Sequence, residues 1–486
     1  MQIGGCRRPI LGATPAPRDR EAELNALVAG IAGYILLQFA IGVIVSRRIR
    51  TEDDYLVAGR SLGPALATFT IFATWFGAET CVSAAGSVYE RGLSGGSAEP
   101  FGYGLCIIFL GLFLAVPLWR MKITTLGDLF RIRYSRNVER LAVLLLVPTS
   151  VFWAAAQVRA FGQVLSAASG FDPAITVTAG AAVVIAYTIF GGLLADAWTD
   201  LVQGIALIVG LGVLFVVILR DVGPAGLAAV DPAKLRLFDT TARSPLGLIE
   251  DWAIPVVGSL VAAELVARVI AARSPQVARN ATLAGGAMYL MIGMIPVTLG
   301  LLGLGLVPGL AEPEQVLPTI AQQYLPTALF VVFAGALVSA ILSTVDSALL
   351  VAGSLVSHNL MVPLLPGITE RGKVRIARAA VAVFGVLAYV LAMRAERVYH
   401  LVEESSAFGS AGIVTVVLFG MFTRLGGAAA ATASLVAGVA AWIVGAHVLV
   451  LPYPYLTSLF AAIVAYVTAA LLARAAAPVR ATATAG

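Results

Sequence analysis

The sequence predicts an all-α polytopic membrane protein of about thirteen transmembrane helices, with a five-plus-five inverted-repeat core whose second and seventh helices are broken. Three observations carry this expectation. Over 486 residues the chain is 59% hydrophobic and 12% charged, which excludes an ordinary soluble protein and demands many membrane spans. Thirteen apolar segments, 23–45, 62–91, 99–119, 140–168, 172–190, 195–220, 246–271, 280–306, 324–360, 374–395, 399–423, 425–448 and 451–474, are each long enough to cross a bilayer as a helix. Two of these segments, five apart, are interrupted near their centres, and paired interruptions in corresponding positions are the mark of an inverted repeat.

Residues 1–22, MQIGGCRRPILGATPAPRDREA, are polar and proline-containing, so they read as a disordered tail or an overextended start, and not as a signal peptide. Residues 23–474 form one membrane domain, with core repeats at about 62–220 and 246–423 and peripheral helices at 23–45, 425–448 and 451–474; 475–486 is a C-terminal tail. The second segment, LGPALATFTIFATWFGAETCVSAAGSVYERG, is too long for one straight span and holds Gly77 and Glu79 at its middle. Segments three and four are joined by the basic loop 121–139. Gly191-Gly192 marks a turn between segments five and six. In the seventh, IEDWAIPVVGSLVAAELVARVIAA, Pro255 and Gly258-Ser259 break the helical pattern. Unwound backbone at membrane depth is tolerated only where it is buried in protein or lines a cavity.

The ninth segment carries AGALVSAILSTVDSALL, residues 334–350. At about 100° per residue, Ser339, Ser343, Thr344, Asp346 and Ser347 fall within half the helix circumference, beside Ala340. Serine and threonine can bond back to the i−4 carbonyl, but a carboxylate at mid-membrane costs about 2.5–3.5 kcal/mol on insertion scales. By themselves these residues fit two readings: a site for a small hard cation, or a hydroxyl-lined helix interface with an aspartate near the membrane surface.

The net charge of +5 comes mainly from arginine and reflects loop bias, not nucleic-acid binding. Lysine and arginine are denser on the side holding Arg47, Arg60, Arg131, Arg268 and Arg375, which sets the N-terminus outside and the C-terminus inside a cell (inner) membrane. Cys6, Cys81 and Cys106 give no disulfide framework, and His358, His400 and His447 give no metal spacing. No phosphate-binding loop and no nucleophile, metal or carboxylate-pair constellation is present, so no enzyme activity is expected.

Four motifs stand in order along the chain: DYLVAGRSLGP (54–64), YTIFGGLLADAWTDLVQ (187–203), RVIAARSPQVAR (268–279) and AILSTVDSALL (340–350). Together they resemble the sodium:solute symporter family, which includes bacterial proline, galactose and sialic acid carriers, over roughly residues 30–470. The resemblance implies a leucine-transporter-type fold and sodium-coupled uptake of a small organic solute by alternating access, with Na+ as coupling ion and no organic cofactor. It implies a sodium site of the Ala73 and Phe76 carbonyls, the Ala340 carbonyl and the Ser343 and Thr344 hydroxyls. Positions 340, 343 and 344 share one helix face. A second ion site, present in some members, falls on Asp200, Ser343, Asp346 and Ser347; the alternative for Asp200 is a hydrogen bond to Gln203 or Thr199. Asp196 departs from the usual apolar residue and is expected to be solvated near the turn.

Substrate is expected at the breaks, with Trp75, Glu79, Thr80, Ser83, Gln157, Arg159 and Ser259 as candidates. Glu79 either meets the solute or pairs with Arg159, and Trp75 serves either substrate or packing. Arg159 favours a carboxylate-bearing solute and Glu79 a solute with hydroxyls or an amine. Glu403 and Glu404 stand either at an outer gate or at a solvated helix start. The expected partners are solute, sodium and lipid bilayer, with neither nucleic acid nor an obligatory protein partner. Two alternatives remain: proton coupling through Asp346 or Asp200, and a transporter-like sensor, which would need a separate signalling partner because no such domain follows before Gly486.

Overall fold

The computed structural model describes residues 17–169, 171–241, 243–395 and 398–476. Most of both expected tails lies outside these residues. Among the described residues ten helices are long and apolar enough to cross a membrane, and three shorter apolar helices, Leu36–Ser46, Pro64–Trp75 and Pro173–Ala186, fall where the first, second and fifth segments are expected.

Helix α1 (Pro17–Ser46) starts ahead of residue 23, where the apolar run begins. The second segment is broken as expected. Its first half, α2 (Pro64–Trp75), opens on Pro64, whose missing N–H costs nothing in the first turn. At Phe76 the chain leaves helical dihedrals (φ −87°, ψ 71°). A widened turn over Glu79–Ser83 then leads into α3 (Ala84–Arg91). The third span begins with α4 (Tyr103–Phe109) and continues to Arg120. Helix α5 (Arg136–Ser169) is the fourth span.

Segments five and six lie in one helical run, α6 (Pro173–Ala228), which turns at Gly192 with φ 62° and ψ 173°. A Cβ there would stand 2.8 Å from the Tyr55 ring, so positive φ and close approach both require glycine. The seventh segment is α7 (Pro245–Ala253), a wide turn at Ile254–Gly258, a non-helical link and α8 (Ala263–Ala271). Then follow α9 (Pro275–Leu306), α10 (Thr327–Ser354) and α11 (Glu370–Arg394). The eleventh segment divides at Gly409 into α12 (Val398–Ala407) and α13 (Ser410–Phe422). Helices α14 (Ala428–Ile443) and α15 (Pro454–Ala475) pack on one another at the periphery.

Helix α10 is the centre of the molecule. Every residue from Ala336 to Ser354 is buried, mostly against α6 and α5. Its polar stripe therefore faces protein, not lipid, and a helix enclosed on all sides explains why its apolar residues show no single face.

The two broken segments are tied at one end. Leu62 N–H donates to the Ala271 carbonyl at 3.2 Å, and Arg273 N–H donates to the Leu62 carbonyl at 2.9 Å. The Arg60 guanidinium adds a bond to the Ile270 carbonyl at 3.1 Å. At the same end Asn359 donates to Glu139 at 2.8 Å and to Asp128 at 3.3 Å, and His358 stands 3.0 Å from Glu52. Burial alone would raise the Asp128 carboxyl, but hydrogen bonds from His358 and the Thr124 N–H hold it below the usual carboxylate range.

Candidate functional site

The breaks in α2–α3 and α7–α8 wall a cavity of about 50 Å³, completed by α5 and the α12–α13 corner. Three carboxylates line it: Glu79, Glu99 and Glu264. No arginine, lysine or histidine does so among the described residues. Three aromatic side chains share the wall. Trp75 meets Tyr103 edge-on at 5.2 Å and Trp153 edge-on at 5.5 Å between ring centroids. A vestibule lined by Ser83, Arg91, Arg243, Asp251 and Glu403 reaches the same Glu79 and Glu99.

Each carboxylate is held by neighbours. Glu79 accepts from Trp153 Nε1 at 3.1 Å and from the Gln157 amide, while Gln157 Oε1 accepts the Ala78 N–H at 2.9 Å across the break. Glu99 accepts from Thr80 at 3.1 Å and from Tyr289. Glu264 accepts from Ser150. Buried polar groups are expected to be bonded in this way, and the bonds fix the carboxylates on the cavity wall.

Of the candidate solute residues, Trp75, Glu79 and Ser259 reach this cavity, and Ser83 reaches the vestibule. Thr80 and Gln157 stand behind, positioning Glu99 and Glu79. Arg159 is a correction. Its guanidinium donates to the Ala392 carbonyl on α11 at 3.2 Å, and no ion pair joins it to Glu79. Residues two apart on a helix point about 200° apart, so a chain that aims Gln157 at Glu79 aims Arg159 the other way. The sequence reading missed Glu99, Glu264, Tyr103 and Trp153. Glu264 carried a signal, being an acidic residue inside an apolar span, and Trp153 lies i−4 from Gln157 on α5.

Around the α2 break four candidate oxygen donors come together. Ser343 Oγ donates to the Ala73 carbonyl at 2.7 Å and to the Ala340 carbonyl at 3.0 Å, and Thr344 Oγ1 donates to the Ala340 carbonyl at 3.1 Å. Phe76 follows α2 as its C-cap residue. A Cβ on Gly77 would lie 2.9 Å from Thr344 Oγ1, 2.8 Å from Gln157 Oε1 and 2.6 Å from Glu79 Oε2. Gly77→Ala is therefore expected to push the break apart at a cost of about 1–3 kcal/mol, enough to lower transport about tenfold or more while the protein still folds. Wild-type uptake in that variant would show that the spacing is not needed.

The other ion candidates divide. Asp200 accepts from Thr70 on α2, not from Gln203 or Thr199, and Asp346 accepts from Thr188. Ser347 Oγ lies 3.2 Å from Thr74 Oγ1 and donates to the Ser343 carbonyl at 2.8 Å. Asp196 is the second correction. It is 6% exposed rather than solvated, and pairs with Arg268, which is wholly buried. The Arg268 side chain reaches from α8 to Asp196 on α6 and brings together two charges that would each be costly alone.

A polytopic helical protein with two broken helices around a polar, membrane-depth cavity is a solute carrier by class. The sodium:solute symporter family profile matches residues 55–438. The chain belongs to the sodium:solute symporter family. That membership makes it a sodium-coupled solute symporter, a transporter and not an enzyme, and an integral multi-pass membrane protein. Relatives include the high-affinity choline transporter 1 of Drosophila melanogaster, 27% identical over 419 residues, covering 81% of this chain. This chain spans 65% of that protein's length. The human high affinity choline transporter 1 is 27% identical over 461 residues, covering 90% of this chain and 79% of its own. A sodium/proline symporter of Staphylococcus aureus is 26% identical over 436 residues, covering 84% and 83%. Among solved structures, a Na+-coupled sialic acid symporter in a substrate-bound outward-open state superposes with a TM-score of 0.80 at 18% identity, covering 92% of this chain and 98% of that one. Mhp1, a nucleobase-cation-symport-1 family transporter, gives 0.60 at 15% identity, covering 85% and 93%. These likenesses define a leucine-transporter-like fold.

Proposed function

We propose that the protein takes up a small organic cation, driven by inward sodium movement. The observation that carries this is the cavity between the breaks: three carboxylates and three aromatic rings, with no basic side chain on its wall. Aromatic faces and carboxylates together attract ammonium groups. The choline transporters among the relatives fit this reading. Moving Arg159 out of the cavity removes the sequence argument for an anionic solute.

Sodium in this reading binds the Ala73, Phe76 and Ala340 carbonyls and the Ser343 and Thr344 hydroxyls, a neutral hard-oxygen set suited to a singly charged ion. It holds the broken α2 against α10. That favours the state open to the outside, with the N-terminus outside and the C-terminus inside. Opening inward separates α2 from α10 and releases the ion, and the difference in sodium affinity between the two states supplies the coupling. The moving parts are two five-span repeats, about 62–220 and 246–423, within one domain of residues 23–474.

Proteoliposomes holding the purified protein test this directly. An inward sodium gradient is expected to drive accumulation of choline, and not of proline, with no uptake under a proton gradient alone. Sodium-driven proline uptake without choline uptake would overturn the cation assignment.

A further inference from the structure

The Asp196–Arg268 pair sits where a second sodium is expected. Asp196 and Asp200 are four apart on α6 and share a face; Ser343 and Ser347 do the same on α10. Arg268 reaches between them from α8. Its guanidinium donates to Asp196 Oδ2 and to Ser347 Oγ, and to the Glu264 carbonyl at 3.3 Å. Ser347 is also within 3.3 Å of Asp196 Oδ2. Arg268, Asp200, Ser343 and Ser347 are fully buried. Asp200 Oδ1 has no hydrogen-bond partner among the described residues, so an acceptor stays open beside the guanidinium.

We propose that the Arg268 guanidinium, anchored by Asp196, is a tethered cation that takes the place of a second sodium among Asp200, Ser343 and Ser347, so that the carrier binds one sodium per cycle. A fixed positive charge at that place repels a mobile one, and the Ser347 hydroxyl oxygen that would coordinate the ion is already engaged by the guanidinium. The same contacts join α8, α6 and α10 just beside the Ser343–Thr344 cluster, so the tethered charge also braces this end of the molecule while sodium binds. This inference rests on the sodium reading of Ala73, Ser343 and Thr344.

The test is equilibrium binding of radioactive sodium alone to the purified full-length protein. The wild type is expected to bind one sodium per chain with a non-sigmoidal isotherm. Arg268→Gln removes the charge and is expected to bind two, whereas Arg268→Lys keeps the charge and stays at one. Adding Asp200→Asn to Arg268→Gln is expected to return the count to one. Two sodium ions bound by the wild type overturn the proposal, and that result does not depend on any variant folding. One sodium in a folded Arg268→Gln, judged by a monodisperse elution profile and a cooperative melt, overturns it as well. No sodium bound by the wild type would overturn the sodium-site reading itself.

Discussion

Replacing Ser343 and Thr344 together by alanine is expected to raise the sodium requirement for uptake about 100-fold or to abolish uptake. Each hydroxyl is a donor on a wholly buried helix face, and Ser343 Oγ spans from α10 to the Ala73 carbonyl of the broken α2 at 2.7 Å. Removing two oxygen ligands from a buried cation at about 1.5–3 kcal/mol each exceeds the free energy behind a tenfold change several times over. The measurement is initial uptake rate against sodium concentration in proteoliposomes. The paired substitution also removes the hydroxyl contact between the two helices, so a melt of the sodium-free protein is needed beside it. Unchanged sodium dependence in the double variant would remove these residues from the ion site.

Glu79→Gln is expected to weaken the apparent affinity for an organic cation about 10–100-fold, with a much smaller change in sodium dependence. Glutamine preserves the side-chain volume and keeps an oxygen to accept from Trp153 Nε1, but its amide nitrogen cannot accept from the Gln157 amide, so a melt of the variant is measured beside its solute affinity. What is lost is the negative charge facing the solute, and a charge-assisted contact in a site of this depth is worth about 1.5–3 kcal/mol. Trp153→Ala tests the aromatic share of the same wall and should lower cation affinity without altering the sodium curve. Equal effects of Glu79→Gln on sodium and solute would assign Glu79 to holding the break and not to binding.

Much of this arrangement is legible in the sequence because it violates local rules. Gly77, Pro255 and Gly258 interrupt apolar runs, and a stretch with hydroxyls every few residues interrupts another, so both broken helices and the polar face of α10 stand out before any packing is known. The cavity does not. Glu79, Glu99 and Glu264 come from three separate segments, and only long-range packing puts them on one wall. Arg268 reads as one of the loop charges that orient the chain, since nothing local distinguishes a loop arginine from one whose partner lies 72 residues away. Arg159 failed for a simpler reason. It lies two residues from Gln157, and the side of a helix that faces the solute is fixed by neighbours that sequence spacing does not name.

The backbone tie between Leu62 and the Ala271–Arg273 stretch has a kinetic consequence. In the proposed reading one broken segment carries carbonyls for the ion, and both line the solute cavity. Joined at their ends, they form a single lever. In the proposed cycle neither is expected to swing without the other, so this tie is expected to hold down uncoupled leak of the ion as well as affinity does.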